Sequence, residues 1–188
     1  MNKETDKLKE LSACREAMEW ARTQSDQETA WKNCERGEWM LWLLGRLSKG
    51  PRSKSRKLLV ITACECARLS LKYILVGEDR PLKAIETAEK WANEDSSVSL
   101  QDVINAADAG AAADAYYAAA AAYYAGAAAY YAGAAAAGDA AAAAADAAAY
   151  AADAAADAYY ADAAEVRAKI RKQCADIVRK HYSKPPKL

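Results

Sequence analysis

The sequence predicts an all-α protein, a helical bundle of about six or seven helices with a long alanine-rich antiparallel helical hairpin. Residues 106–164 use only four residue types, with 39 Ala, 9 Tyr, 7 Asp and 4 Gly, and Ala is the strongest helix former. Elsewhere, apolar residues recur at the three- and four-residue spacing of amphipathic helices. No stretch shows the alternating pattern of a strand, so helices are the only regular elements expected.

The mixed-sequence region, residues 1–98, is expected to begin with two long amphipathic helices. The first runs from Met1 to about Thr23, with apolar side chains along one face. Ser25, with a glutamate three residues later, has the spacing of a capping box, and it predicts a second helix that ends near Ser48. Tryptophans give this helix a large aromatic face, and Gly37 inside it indicates a kink or a close helix crossing.

Two further helices follow turns that contain Gly and Pro. Residues 54–76 are apolar nearly all round, which predicts a central, buried helix. Pro81 is placed to open the next helix, to about Asn93, because Pro is favoured in a first turn. Four basic residues stand at the start of the first of these helices, against its dipole: Arg52, Lys54, Arg56 and Lys57. Both an anionic partner and an exposed loop account for them.

Residues 99–182 are expected to form the hairpin together with a basic C-terminal helix continuous with it, and residues 183–188 to form a tail. We expect the whole chain to be one compact domain. Gly138-Asp139 combines a helix stop with a new N-cap. If the chain folds back about Gly138, Tyr130 faces Asp146 and Gly126 faces Tyr150.

The net charge is zero, but the charges are unevenly distributed. Residues 106–164 carry seven Asp and no basic residue, whereas residues 165–188 carry eight Lys or Arg against two acidic residues. Either the basic segment neutralises the acidic unit within the fold, or the acidic unit meets a basic partner. Direct binding of nucleic acid by the acidic unit is disfavoured, because phosphates require positive charge.

The sequence indicates a cytoplasmic protein without a membrane span. The chain opens with a charged segment rather than an apolar leader, and no window of about 18 residues is apolar without relying on Ala. Five cysteines, an odd number, are interpreted as reduced thiols. Cys64 and Cys66 point to opposite sides of a helix, so we interpret them as core residues. Neither a metal nor a cofactor is expected.

The first candidate site is a stripe of tyrosines and aspartates in the alanine-rich unit. Tyr pairs and Asp residues each recur every seven residues, which places each set along one helix face. Outward Tyr beside Asp is typical of a protein-recognition surface, although the rings can equally cover an alanine seam. This Tyr/Asp stripe consists of Tyr116, Tyr117, Tyr123, Tyr124, Tyr130, Tyr131, Asp139, Asp146 and Asp153.

The second candidate site is a charged cluster in an otherwise apolar region. Glu65 and Arg68 lie one turn apart on a predicted helix, and Arg80 and Glu86 lie near the start of the next. These four residues fit either a structural salt-bridge network or a pocket for a small anionic ligand. Residues 106–164 contain no Lys, Arg, His, Ser, Thr or Cys, so a familiar catalytic dyad cannot be built inside this stretch. We identify no catalytic residues.

Several segments resemble the immunity-protein family of bacterial and phage genomes, the immunity-5-like group. The segments are residues 34–43 (CERGEWMLWL), residues 63–68 (ACECAR), residues 79–88 (DRPLKAIETA) with Trp91, the Ala/Tyr/Asp unit, and residues 174–179 (CADIVR). The resemblance spans roughly residues 30–180. It implies a protein that binds and neutralises a partner such as a toxin, and it implies no catalytic residues.

Three hypotheses of function follow. The first is a non-enzymatic immunity or counter-defence protein that neutralises a protein partner, a toxin or defence effector, through the Tyr/Asp stripe. The second is a protein that sequesters a small anionic nucleotide signal, using Arg68 and Arg80. The third is a structural module that forms a homo-oligomer through its alanine-rich helices.

Overall fold

The computed structural model describes residues 2–114, 127, 130–136, 140–157 and 163–188, and every regular element in those ranges is helical. The elements are α1 (Asn2–Glu10), α2 (Arg15–Arg22), α3 (Gln27–Asn33), α4 (Gly37–Leu47), α5 (Lys54–Arg68), a 3₁₀ turn (Leu71–Tyr73), α6 (Arg80–Ala92), α7 (Leu100–Asp114), α8 (residues 130–136), α9 (Ala140–Asp157) and α10 (Ala163–His181). The all-α prediction is confirmed, but the expected count of six or seven helices is too low.

The count is too low because each of the first three predicted helices is divided. Residues 1–23 form α1 and α2, since Ser12 adopts a left-handed conformation with φ 67°. The Ala13 amide then donates to the Leu8 carbonyl at 2.9 Å, a closure typical of helix ends. The backbone leaves helical geometry again between α3 and α4. The predicted helix over residues 54–76 ends at Arg68 and is followed by the 3₁₀ turn.

Side-chain caps start α7 and α3, and the cap predicted for α3 is displaced by one residue. Ser99 and Asp102 exchange bonds at the start of α7: the Ser99 amide donates to Asp102 Oδ2 at 2.8 Å, and the Asp102 amide donates to Ser99 Oγ at 3.2 Å. At α3, Asp26 rather than Ser25 is the N-cap, because its Oδ1 accepts the Thr29 amide at 2.7 Å.

Helix α5 is the central element of the fold, as its apolar sequence predicts. Leu59, Val60 and Ala63 are fully buried, and the helix packs against α4, α6, α9 and α10. Such a position requires apolar residues on nearly every side. The loop that follows the 3₁₀ turn is also expected to be buried, but its Val76 is fully exposed.

Helix α9 inserts its alanines into the same core. It packs against α4, α5 and α10, and the residues that face them, here called the alanine seam, are fully buried: Ala144, Ala147, Ala148, Ala151, Ala152 and Ala155. These residues belong to one hydrophobic cluster with Leu41, Leu59 and Ile85. The two predicted regions, 1–98 and 99–182, therefore share one core.

Helix α8 joins this core by close contacts. A Cβ added at Gly133 would lie 3.0 Å from the Cβ of Ala107 on α7, and the Tyr131 ring stacks on Tyr150 of α9 at 5.2 Å. The hairpin about Gly138 stays a prediction, because its turn lies outside the described residues. The expected pairing of Gly126 with Tyr150 falls there too, and the ring described against Tyr150 is that of Tyr131.

Candidate functional site

The described members of the Tyr/Asp stripe make contacts within the fold. Tyr130 and Tyr131 are half-buried and meet edge to face, with centroids 5.0 Å apart. Partial burial raises the pKa of the Asp146 carboxyl above its ordinary value. Asp153 accepts a hydrogen bond from Arg167 of α10 at 2.7 Å, so the basic helix partly neutralises the acidic unit. Five members of the stripe lie outside the described residues: Tyr116, Tyr117, Tyr123, Tyr124 and Asp139.

The predicted charged cluster forms ion pairs with residues outside the predicted set. Arg68 on α5 donates two hydrogen bonds to Glu89 on α6, at 2.8 and 2.6 Å. Arg80 pairs with Glu78 in the turn before α6, and Glu86 is exposed. These pairs tie α5 to α6 and close the turn, which fits the structural salt-bridge alternative.

Glu65 belongs to a separate contact between α5 and α10. Its carboxylate meets His181 Nε2 at 2.8 Å and Lys180 Nζ at 3.1 Å. Partial burial alone would raise the pKa of this carboxyl, but the hydrogen bonds from Lys180 and His181 outweigh burial and hold the pKa below its ordinary value of 4.5. The ionised carboxylate therefore stabilises the fold.

A Glu65→Gln variant should lose stability at neutral pH and not in acid. Because the folded-state pKa is lowered, the contribution of Glu65 is fully present above about pH 4.5 and is lost as the pH falls through the folded-state value. We expect a decrease of up to about 1 kcal/mol at pH 7, vanishing in acid. Urea unfolding at a series of pH values from 7 down into the acid range measures it, with exposed Glu86→Gln as control. A decrease that persists undiminished in acid would contradict the assignment.

Two of the four basic residues at the start of α5 make contacts within the fold. Arg56 is buried, and its Nε donates to Ser48 Oγ at 3.2 Å while Nη1 donates to the Ala135 carbonyl at 3.4 Å. Lys57 pairs with Glu94 at 2.9 Å. These contacts within the chain account for two of the four basic residues, so neither of the two requires an anionic ligand from outside.

A cleft of about 310 Å³ lies among the first four helices, a volume within the range of ligand sites. Four of the five tryptophans line it, and we call it the tryptophan cleft. Its defining residues are Leu8, Trp20, Trp31, Glu38, Trp39, Met40, Trp42 and Leu43. The lining is almost entirely apolar, which makes it the leading candidate for a binding site in the described part of the chain.

Short helices place the tryptophans around the cleft. Trp20 of α2 and Trp39 of α4 lie with ring centroids 6.0 Å apart and planes inclined at 53°. Trp31 of α3 is buried, and its Nε1 donates to the Tyr182 carbonyl at 2.9 Å. The guanidinium of Arg36 lies 4.3 Å from the centre of the Trp39 ring, a cation–π distance. Several elements thus fix the orientation of the indoles.

Glu38 is a buried charged residue among those that line the tryptophan cleft. Glu38 is 8% exposed. Its Oε1 accepts a hydrogen bond from Arg36 Nε and lies 3.2 Å from Arg171 Nε on α10. Its Oε2 is buried and has no hydrogen-bond partner among the described residues, and Arg171 Nε, although within ion-pair distance of Oε1, likewise makes no hydrogen bond there. Such an acceptor costs free energy unless a donor reaches it.

The close crossing of α4 and α10 brings Arg171 to Glu38. Gly37 begins α4, and a Cβ added there would lie 2.4 Å from the Cβ of Cys174 on α10. Only glycine allows this approach, so of the two alternatives predicted for Gly37, a kink or a close helix crossing, the structure shows the crossing. Gly37 begins α4, however, and does not lie inside a longer helix as expected. Sequence reasoning missed Glu38 because the residue that pairs with it lies 133 positions further along the chain.

The segment after α10 contributes to the cleft. Gln27 Nε2 donates to the Pro186 carbonyl at 2.5 Å, and Leu188 joins the cleft lining. Arg179 Nη1 donates to the Cys34 carbonyl at 2.7 Å, which holds α10 against the end of α3. The segment predicted as a tail, residues 183–188, is therefore attached to α3.

The buried thiols belong to the core. Burial raises the pKa of the Cys34 thiol to about 11 and that of Cys64 above its ordinary range. The Cys64 thiol donates to the Ile85 carbonyl at 3.8 Å, and the Cys66 thiol to the Cys174 carbonyl at 4.0 Å. Within the described ranges, no three His, Cys, Asp or Glu side chains are grouped as a metal site requires.

Comparisons with known proteins assign no family to the chain. It matches no protein-family model, and neither a curated protein nor a solved structure matches it. Among the helices that the structure describes, none has the length and apolarity that crossing a bilayer requires.

Proposed function

We propose that this protein is a cytoplasmic, non-enzymatic immunity or counter-defence protein that binds and neutralises a protein partner. The observation that carries the proposal is the tryptophan cleft, a preformed apolar depression of about 310 Å³. Binding energy in protein complexes is concentrated in a few aromatic anchors that fill such depressions. The resemblance to immunity proteins supports the same role.

The chemistry of the cleft favours binding over catalysis. Ser12, Cys14 and Cys34 line it, but no histidine does among the described lining residues, so these groups have no imidazole base beside them there. Burial also keeps the Cys34 thiol protonated at neutral pH, since its pKa is raised to about 11.

A small molecule is the second candidate ligand, because the cleft volume falls within the range of small-molecule sites. An anionic nucleotide is disfavoured there, since Glu4 and Glu38 are among the lining residues and no described lining residue is Lys or Arg. Arg68 and Arg80, the residues expected to bind such an anion, pair with glutamates instead. A small ligand of the cleft would be neutral and apolar.

The Tyr/Asp stripe and the alanine-rich helices, the two surfaces proposed from the sequence, differ in whether they are available for a partner. The Tyr/Asp stripe stays a predicted second contact, since most of its tyrosines lie outside the described residues. The alanine seam of α9 already packs against α4, α5 and α10. Those buried alanines are therefore occupied within the chain, which disfavours the homo-oligomer hypothesis for this face.

The proposal predicts that a Trp20→Ala/Trp39→Ala variant loses its partner. Both rings are half-buried in the cleft, and removing two aromatic anchors should weaken binding by at least about 100-fold. The measurement is quantitative capture of the partner from lysate of the native host, followed by native mass spectrometry of the complex.

Trp91→Ala is the matched control, because Trp91 is also half-buried but lies in another depression, beside Pro51 and Leu100. Circular dichroism and thermal unfolding establish that each variant is folded. A stoichiometric protein retained by wild type and Trp91→Ala but lost by the cleft variant supports the proposal. Equal retention by all three folded proteins excludes the cleft as the binding site.

A further inference from the structure

We infer that the tryptophan cleft receives a flat aromatic group bearing one N–H or O–H donor, and that this donor binds the carboxylate of Glu38. The inference rests on the proposed function and specifies its anchor, a Trp or Tyr side chain of the protein partner. The two carboxylate oxygens of Glu38, the apolar walls and the local charge each support it.

The first step is the unused acceptor. Arg36 and Arg171 both approach Oε1 of Glu38, whereas Oε2 is shielded from solvent and has no partner among the described residues. The terminal torsion of a glutamate is soft, so a small turn of the carboxylate presents a lone pair to a donor that enters the cleft.

The second step is the shape and polarity of the walls. Trp20 and Trp39 are inclined to each other at 53°, and with Trp31 and Trp42 they surround the space next to Glu38. Aromatic rings favour offset stacking and edge-to-face contacts with other rings. A flat aromatic group makes such contacts with several indoles together, which a branched aliphatic group does not.

The third step is charge. Arg36 and Arg171 already place two cations beside the carboxylate of Glu38, so a third cation would add an uncompensated charge in an apolar space. A neutral donor satisfies Oε2 without changing the net charge. Trp and Tyr combine an apolar ring with one neutral donor, and they are enriched at the centres of protein interfaces.

The test uses two ring systems of the same shape, indole and 1-benzothiophene, in which sulfur replaces the N–H group. The intact protein is labelled with ¹⁵N, and its five tryptophans each give one indole N–H signal, assigned by single Trp→Phe variants. We expect indole to shift the signals of the four cleft tryptophans and to leave that of Trp91 unchanged. 1-Benzothiophene should bind at least about tenfold more weakly, because it offers no donor to Glu38.

Each outcome decides one part of the inference. Equal affinity for the two compounds overturns the donor contact with Glu38. Binding of a protein partner in the cleft is tested separately, by the capture experiment with the Trp20→Ala/Trp39→Ala variant. Absence of shifts at the cleft tryptophans with both compounds overturns the aromatic occupant altogether. Glu38→Gln should reduce the preference for indole, and if that variant does not fold, the comparison of the two compounds on the native protein still decides.

A third compound, N-acetyl-tryptophanamide, distinguishes a side chain of a protein from a free aromatic molecule. Its capped backbone mimics the chain of a partner, so we expect it to shift the same cleft signals at an affinity no weaker than that of indole. Binding of indole with exclusion of the capped amino acid would overturn the partner side chain as the source of the anchor.

Discussion

A Gly37→Ala variant is expected to lose about 3 kcal/mol of stability, toward the upper end for overpacking of a core. The added Cβ would lie 2.4 Å from the Cβ of Cys174 and 2.7 Å from the backbone nitrogen of Ala175. Backbone atoms of α10 cannot move away cheaply, because Cys174 and Val178 fix that helix in the core. The helices must separate, and Arg171 then moves away from Glu38.

Gly50→Ala is the control for this prediction, since a Cβ at Gly50 meets no atom within 4 Å. Its effect should stay within about 0.5 kcal/mol. Urea unfolding of both variants at pH 7 measures the difference. If Gly37→Ala proves as stable as Gly50→Ala, α4 and α10 do not cross as closely as the structure places them.

A Leu59→Ala variant is expected to lose about 3 to 4 kcal/mol. Leu59 is 0% exposed and lies in α5, which packs against four other helices. Truncation removes apolar surface and leaves a cavity that rigid helices on several sides cannot close. The loss is a large part of the total stability of a typical domain, about 5–15 kcal/mol.

Leu75→Ala is the matched control, because it removes the same atoms from a side chain that is 43% exposed. The surface position should change stability by no more than about 0.5 kcal/mol. Thermal unfolding of the two variants compares buried with exposed leucine in one protein. Similar losses at both positions would contradict the central placement of α5.

Local sequence signals predict the elements that depend on neighbouring residues alone. The Ser99–Asp102 pair, Pro81 and the continuous apolar character of α5 each have a short-range cause, and the structure follows them. The break at Ser12 could not be predicted in this way. A left-handed helix end is usually marked by Gly, and here a serine adopts it with φ 67°.

The tryptophan cleft depends on contacts that are distant in sequence. Trp20, Trp31 and Trp39 follow a spacing that fits the buried face of long helices, and only the breaks between α1 and α4 separate them around a cavity. The unpaired oxygen of Glu38 depends on Arg171 of the last helix. No local pattern indicates which residue of α10 will face α4 when a glycine brings the two backbones together.

The alanine seam has a consequence for how this protein can evolve. A core of leucines adjusts to substitutions by changing rotamers, whereas a methyl group has no rotamer to change. Drift at Ala144, Ala148 or Ala151, all fully buried, is therefore restricted to side chains of nearly the same volume. The alanine-rich sequence of α9 is therefore a consequence of helices that pack at this close spacing.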